Sequence, residues 1–277
     1  MSLINSLQWD TRGTCISVLL SLLMIIFILT PSYSQDHSDL AKKTQNPLSN
    51  LISLPFQNNT NFGIGPDDEI QNVLNIQPVI PISLSKDWNL ITRTIIPLIW
   101  QPSFYTGSEN IFGMGDINAT AWLSPANPGK LIWGLGGSLL LPTATDEALG
   151  TGKWAFGPSI VLLTMPGKWV IGGLANNVWS FAGDSERNDV NQFFAQYFIN
   201  YNLPNKWYLV TAPIITANWE APDGQQWIVP FGAGFGKIFS IGKQPINAQI
   251  SYYVNVVKPD NGPDGQLRVQ VQLLFPQ

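Results

Sequence analysis

Along this chain, five short connections that carry lysine alternate with six that carry acid. The lysine set is Ser85-Lys86-Asp87, Asn127-Pro128-Gly129-Lys130, Pro166-Gly167-Lys168, Pro204-Asn205-Lys206 and Ile241-Gly242-Lys243. The acidic set comprises Asp67-Asp68-Glu69, the loop through Glu109, Asp146-Glu147, the run from Asp184 to Asp189, the run from Glu220 to Asp223, and the run from Asp260 to Asp264. The acidic set holds thirteen carboxylates and the lysine set one, Asp87. Solvated surface explains charge in any single loop but not the alternation. An up-and-down meander does explain it, because successive turns then fall at opposite ends and the two ends can differ in chemistry.

Between these connections, period-two patterning marks twelve strand segments, at 51–62, 70–84, 88–101, 111–123, 131–142, 153–164, 169–181, 191–203, 207–219, 226–238, 245–257 and 266–275. Pro166 to Asp189 contains one full unit: a tight turn, Trp169, a strand, Trp179 and an acidic loop. Residues an even number apart on a strand share a face. Trp88 and Trp100, Trp169 and Trp179, and Trp207 and Trp219 all satisfy that parity. At about 3.3 Å per residue and a tilt of about 40°, such spacings project to roughly 25 Å, the height of a lipid-facing band between aromatic girdles.

The last two strands sort their faces sharply. Leu267, Val269, Val271, Leu273 and Phe275 oppose Gln266, Arg268, Gln270 and Gln272, while Ile246, Ala248, Ile250, Tyr252 and Val254 oppose Asn247, Gln249, Ser251 and Asn255. Alternation alone does not tell inside from outside, but tryptophans on the apolar face favour lipid there. The expected fold is all-β, a transmembrane antiparallel up-and-down barrel of about twelve strands over residues 51–277. Only 12% of residues are charged, while 24 glycines, 21 prolines and 11 tryptophans suit many short strands and turns. Pro78, Pro81, Pro97, Pro158, Pro213 and Pro230 fall inside these strands. Proline removes a ladder hydrogen bond, so bulges or breaks are expected there.

Residues 1–34 read as a secretory signal, with the apolar run Ile16 to Leu29 preceded by Arg12 and a cut after Ser34. About 14 apolar residues fall short of the roughly 20 that a spanning helix needs. The single cysteine, Cys15, lies in that signal, which leaves no disulfide, thiolate metal site or cysteine nucleophile in the mature chain. Residues 35–50 are polar and read as a periplasmic N-terminal segment, either a tail or a short helix that closes the barrel mouth.

Catalysis finds little support. The one histidine, His37, lies outside the barrel strands, whereas a hydrolytic site in such a barrel needs imidazole as base. Gly232-Ala233-Gly234-Phe235-Gly236 lacks the strand and helix context of a nucleotide loop. Asp260-Asn261-Gly262-Pro263-Asp264 lacks the spacing of a calcium loop. No cofactor, metal site or catalytic residue is expected, and a formal charge of −4 without a basic patch argues against nucleic acid.

Parity instead directs Arg93, Asp116, Asn118, Gln196, Gln249, Arg268 and Gln270 into the lumen, with the amides Asn75, Gln77, Asn176 and Asn247 and the aromatic residues Phe194, Phe198, Tyr208 and Tyr253. Arg93 and Asp116 are expected to pair, because an isolated charge in a narrow lumen is costly. Rings of like charge are not evident, so charge selection should be weak, with a slight cation preference from the acidic loops.

Leu51-Ile52-Ser53-Leu54-Pro55-Phe56-Gln57-Asn58-Asn59 with Gln77-Pro78-Val79-Ile80-Pro81, Phe112-Gly113-Met114-Gly115-Asp116-Ile117, Pro142-Thr143-Ala144-Thr145-Asp146 with Gly152-Lys153-Trp154, and Ile215-Thr216-Ala217-Asn218-Trp219 carry a resemblance. Over nearly all of residues 40–277 the chain resembles a family of Gram-negative outer-membrane barrels grouped with the meta-pathway of phenol degradation (MetA-like), often labelled transporters and sometimes "neuromedin U". The resemblance implies an outer-membrane barrel and transport, and supplies no catalytic residue. Phe275 is followed by Pro276-Gln277, which departs from the terminal aromatic residue usual in such chains. Two functions follow: a narrow pore for small neutral or amphipathic solutes, or a closed structural or adhesive barrel whose acidic loops bind a partner or lipopolysaccharide. Outer-membrane lipid is the expected surround in both.

Overall fold

A computed structural model describes residues 37–103 and 109–276. The proposed signal, residues 1–34, lies outside the described residues. After a helix, α1 (His37–Gln45), fifteen strand segments make twelve barrel strands. They are β1 (Ile52–Ile64), β2 (Glu69–Ile76 and Val79–Ser83), β3 (Trp88–Gln101), β4 (Ile111–Met114 and Ile117–Pro125), β5 (Leu131–Leu141), β6 (Lys153–Thr164), β7 (Trp169–Gly183), β8 (Asn191–Asn202), β9 (Trp207–Thr211 and Ile214–Asn218), β10 (Trp227–Ile241), β11 (Gln244–Val257) and β12 (Gly265–Phe275). Each strand is antiparallel to its sequence neighbours, and β1 pairs with β12 from Ile52↔Phe275 to Phe62↔Gly265. That last pairing closes the sheet, so the barrel presents no free edge. Among the described residues no helix is long and apolar enough to cross a membrane.

Prolines account for most irregularities. β2 breaks at Gln77-Pro78 and β9 at Ala212-Pro213, yet pairing resumes in the same register, as when Gln196↔Ile214 continues from Ile199↔Thr211. The break in β4 differs. Leu98 pairs with Met114 but Ile95 with Asn118, so β4 has gained one residue at Gly115-Asp116, opposite Pro97. The carbonyl of Pro97 accepts from the Gly115 amide at 2.9 Å, and a Cβ on Gly115 would come within 2.7 Å of Ile99 Cδ1. At Pro230 the register with β11 shifts. Pro81 and Pro158, by contrast, remain inside unbroken segments, paired with Ile91 and Gly137.

The wall is apolar outside. In β6, Lys153, Ala155, Gly157, Ser159, Val161 and Leu163 are buried, while Trp154, Phe156, Pro158, Ile160 and Leu162 are exposed. Leu131, Leu135, Leu209, Phe231, Phe235, Tyr252 and Val254 continue the exposed apolar surface, whereas Ser53, Gln57, Asn59, Asn200, Asn247, Ser251, Arg268 and Gln272 are buried. A soluble domain buries the opposite set. This is the side-chain distribution of a barrel in lipid.

Candidate functional site

The lumen has two dissimilar sides. Along β3 to β7 its filling is apolar: Ile91, Trp122, Ile132, Val161, Leu163, Val170 and Leu174 form a buried cluster with Ala41, Leu48 and Leu51 of the N-terminal segment. The expectation of an interior dominated by amides therefore holds for only part of the circumference. The N-terminal segment explains the difference. It enters from the lysine-bearing end, where β1 begins, and its apolar side chains need apolar partners. Leu48 lies so close to β5 that a Cβ on Gly134 would sit 3.0 Å from its Cδ2. Two reciprocal amide bonds, Gln45 Nε2 to Asn202 Oδ1 at 3.0 Å and Asn202 Nδ2 to Gln45 Oε1 at 3.1 Å, fasten α1 to β8.

Across β8, β9, β11, β12 and β1 the apolar cluster continues through Phe198, Val210 and Leu274 but is joined by amides and Arg268, which border a half-open cavity of about 140 Å³. Gln196, Gln249, Arg268 and Gln270 line it, with Gln57, Asn247, Gln272, Tyr208 and Phe198, and with Thr44 and Gln45 from α1. Arg268 is 2% exposed and fixed on three sides. Its Nε donates to Asn59 Oδ1 at 3.2 Å, Nη1 to the Ala212 carbonyl at 2.8 Å and Nη2 to Gln266 Oε1 at 3.0 Å. Its guanidinium lies 4.9 Å from the ring centre of Tyr253. Below it, the Tyr208 hydroxyl donates to Asn247 Oδ1 at 2.7 Å and Gln249 donates to Ser251 at 3.1 Å. Above it, Gln266, Asn61, Gln71 and Gln101 continue a side-chain amide chain toward the acidic end.

Arg93 and Asp116 do not pair; among the described residues the ion pairs are Lys153 with Asp189 and Lys258 with Asp264. Asp116 is taken by the connection after β5. Its carboxylate accepts from the Thr151 amide at 2.6 Å, the Thr151 hydroxyl at 2.8 Å and the Ala144 amide at 3.2 Å. The bulge at Gly115 aims it there. Arg93 instead lies over the indole of Trp122, 5.4 Å from the ring centre, with its Nε buried and without a hydrogen-bond partner. Trp122 is fully buried and donates to Ser159 Oγ at 2.9 Å. Asn118 joins Ser138 and Thr120 nearby. Parity with Asn118 and Thr120 could have placed Trp122 inside, but a tryptophan in such a chain invites an outward reading.

The tryptophans at strand ends occupy two levels. Trp88, Trp169 and Trp207 begin their strands at the lysine-bearing end, where they meet Trp133, Tyr201 and Phe235 at 5.9, 4.6 and 6.0 Å. Trp100, Trp179 and Trp219 stand toward the acidic end; Trp100 lies against Phe112 at 4.0 Å and Trp219 meets Trp227 edge to face at 5.2 Å. A second cavity, about 210 Å³, opens at that end between Asp116, Asp146, Glu147, Asp184 and Arg187. Arg187 is committed to the carbonyls of Glu147, Gly150 and Thr151. Among the described residues no cluster of metal-ligating side chains forms.

No family model and no curated protein sequence matches the chain. Solved structures do resemble it in fold. An outer-membrane channel from Pseudomonas putida F1 superposes with a TM-score of 0.60 at 17% identity, over 81% of this chain and 94% of that one. Outer-membrane phospholipase A from Escherichia coli gives 0.44 at 15% identity, over 81% and 92%. A monoaromatic hydrocarbon channel, CymD, gives 0.44 at 9% identity, over 88% and 93%.

Proposed function

We propose that the protein is an outer-membrane channel of transport class, a restricted pore for small neutral or amphipathic solutes, aromatic ones included, with its lysine-bearing turns in the periplasm. The observation that carries this reading is the polar-lined cavity of about 140 Å³ inside the lumen. Barrels of eight strands fill their own interior and those of sixteen hold open water, so a twelve-stranded barrel with a residual chamber falls between them. Residues 1–34 direct export, and the two levels of tryptophan seat the wall in outer-membrane lipid and lipopolysaccharide. The MetA-like resemblance and the shared fold of the Pseudomonas putida channel support the same reading. No catalytic step is assigned to any residue.

A closed structural or adhesive barrel is the alternative, favoured by Trp122, Tyr208 and Tyr253, which are all at most 1% exposed within the lumen. Planar-bilayer recording of the purified protein separates the two. The channel reading expects small conductance steps that enlarge when residues 35–50 are removed. Silence from both proteins would decide for the closed barrel.

A further inference from the structure

On the channel reading just given, we propose that the lumen cavity is a binding subsite for the anionic head of an amphipathic solute, a carboxylate held at Arg268 with its apolar part against Phe198 and Val210. The argument begins with charge. Arg268 is 2% exposed, and its three hydrogen-bond acceptors, Asn59, Ala212 and Gln266, are all neutral. A buried cation ordinarily has a carboxylate beside it, because desolvation is otherwise uncompensated. Here none of the side chains that line the cavity is acidic. The inward carboxylate, Asp116, is consumed by Thr151 and Ala144. Elsewhere in the lumen Arg93 also lacks an acidic partner. The acidic loops favour cations outside, but the interior has the opposite balance.

Geometry adds to charge. A guanidinium carries five N–H donors, and the three bonds to protein leave two of them, one on each terminal nitrogen, for a ligand. Those three bonds and the Tyr253 ring hold the fork rigid, so little ordering is left for binding. The amides of Gln196, Gln249 and Gln270 supply further donors around the cavity, while Phe198, Val210 and Ala212 give it an apolar side. A space of about 140 Å³ with one cation, neutral donors and an apolar wall matches a small monoanion with a hydrophobic body better than a neutral sugar or a cation.

Calorimetric titration of the full mature chain in detergent with sodium benzoate reads the site without requiring conduction, and benzamide serves as a neutral match of shape. Benzoate should bind, and benzamide about tenfold more weakly or worse, the usual worth of a charge-assisted hydrogen bond. Arg268→Gln should lower benzoate affinity by about tenfold or more. Gln249→Glu should do the same while leaving Arg268 and its bonds in place, because it introduces the missing counter-charge into the cavity lining. Lys258→Gln removes an equal charge from an outer loop and should leave binding unchanged. Absence of benzoate binding, equal binding of the two probes, or indifference to Gln249→Glu would overturn the subsite. Bilayer recordings of the same protein keep the two claims apart: binding without conductance steps overturns the channel and leaves the subsite, and steps without charge-dependent binding do the reverse.

Discussion

Nη1 of Arg268 donates a 2.8 Å hydrogen bond to the carbonyl oxygen of Ala212, although their strands, β12 and β9, are separated in the sheet by β10 and β11. The bond is therefore a chord across the lumen. Its acceptor exists because of Pro213. Proline cannot donate to the ladder, β9 is unpaired at Ala212-Pro213, and the freed polar groups turn inward. The Ala212 carbonyl also accepts from Gln196 Nε2 at 3.2 Å, and the Ala212 amide donates to the Tyr253 hydroxyl at 3.2 Å. A break in the wall thus becomes the anchor of the polar side of the lumen.

Replacing Arg268 by leucine should destabilise the barrel by about 2–4 kcal/mol, since Asn59, Gln266 and Ala212 would each lose a hydrogen bond in a buried site. Urea unfolding in lipid vesicles measures this. Arg268→Lys should recover part of the loss, because it keeps the charge but not the fork. A leucine variant within about 0.5 kcal/mol of the native protein would mean the chord contributes nothing to stability.

Orientation is open to direct labelling. The described residues carry no cysteine, so single cysteines there give a clean signal. Asn205 and Asn261 both have φ of 58°, a conformation that disfavours cysteine, so exposed Ser185 and Asn127 are the better positions. On intact cells an impermeant maleimide should label Ser185→Cys and spare Asn127→Cys. The opposite pattern would invert the barrel in the membrane.

Removal of the Asn202 side chain should loosen α1 without unfolding the wall. Asn202→Ala deletes both amide bonds to Gln45, worth about 1 kcal/mol net, so amides of Lys42 to Gln45 should exchange with deuterium about fivefold faster. Exchange in β5 and β6 should stay as it was. If α1 exchanges no faster, its seating rests on the apolar contacts of Ala41, Leu48 and Leu51.

Much of the wall was legible because period-two alternation is imposed by lipid on one side and lumen on the other; in the segment 153–164 burial alternates at every residue up to Leu163. The N-terminal segment was legible only as a choice between a tail and a helix at the barrel mouth. His37 to Gln45 reads as a polar stretch, and its seating depends on Ala41, Leu48, Leu51 and an apolar inner wall contributed by strands far away in sequence. The bulge at Gly115-Asp116 was also hidden. A bulge or break was expected at Pro97 but not on the facing strand, where the extra residue is counted only against β3. Asp116 was expected to face the lumen and pair with Arg93, yet its partner proved to be a loop 35 residues away in sequence.

Asp116 should act as the clasp of that loop. Asp116→Asn weakens two charge-assisted bonds from Thr151 and one from Ala144, with an expected cost of about 1.5–3 kcal/mol. Limited proteolysis between Pro142 and Gly152 should accelerate accordingly. Unchanged cleavage in Asp116→Asn would show that Arg187, through the carbonyls of Glu147 and Gly150, holds the loop by itself.

Arg93 offers the sharpest separation of charge from volume. Its guanidinium sits over Trp122 with a buried Nε that no acceptor meets, so the residue both gains a cation–π contact and bears an uncompensated desolvation cost. The contact is worth about 0.5–2 kcal/mol, and replacing a buried ion by an apolar side chain of similar volume is often neutral or stabilising. Arg93→Met should therefore change unfolding free energy by less than about 1 kcal/mol in either direction, whereas Arg93→Ala, which also opens a cavity beside Trp122, should cost about 2 kcal/mol or more. Combining Arg93→Met with Asp116→Asn extends the test. Independent sites add to within about 0.5 kcal/mol, whereas an ion pair would leave a coupling energy well above that. The hydrogen bonds of Asp116 to Thr151 and Ala144 predict additivity, and a measured coupling of about 1 kcal/mol or more would restore the ion pair that the geometry denies.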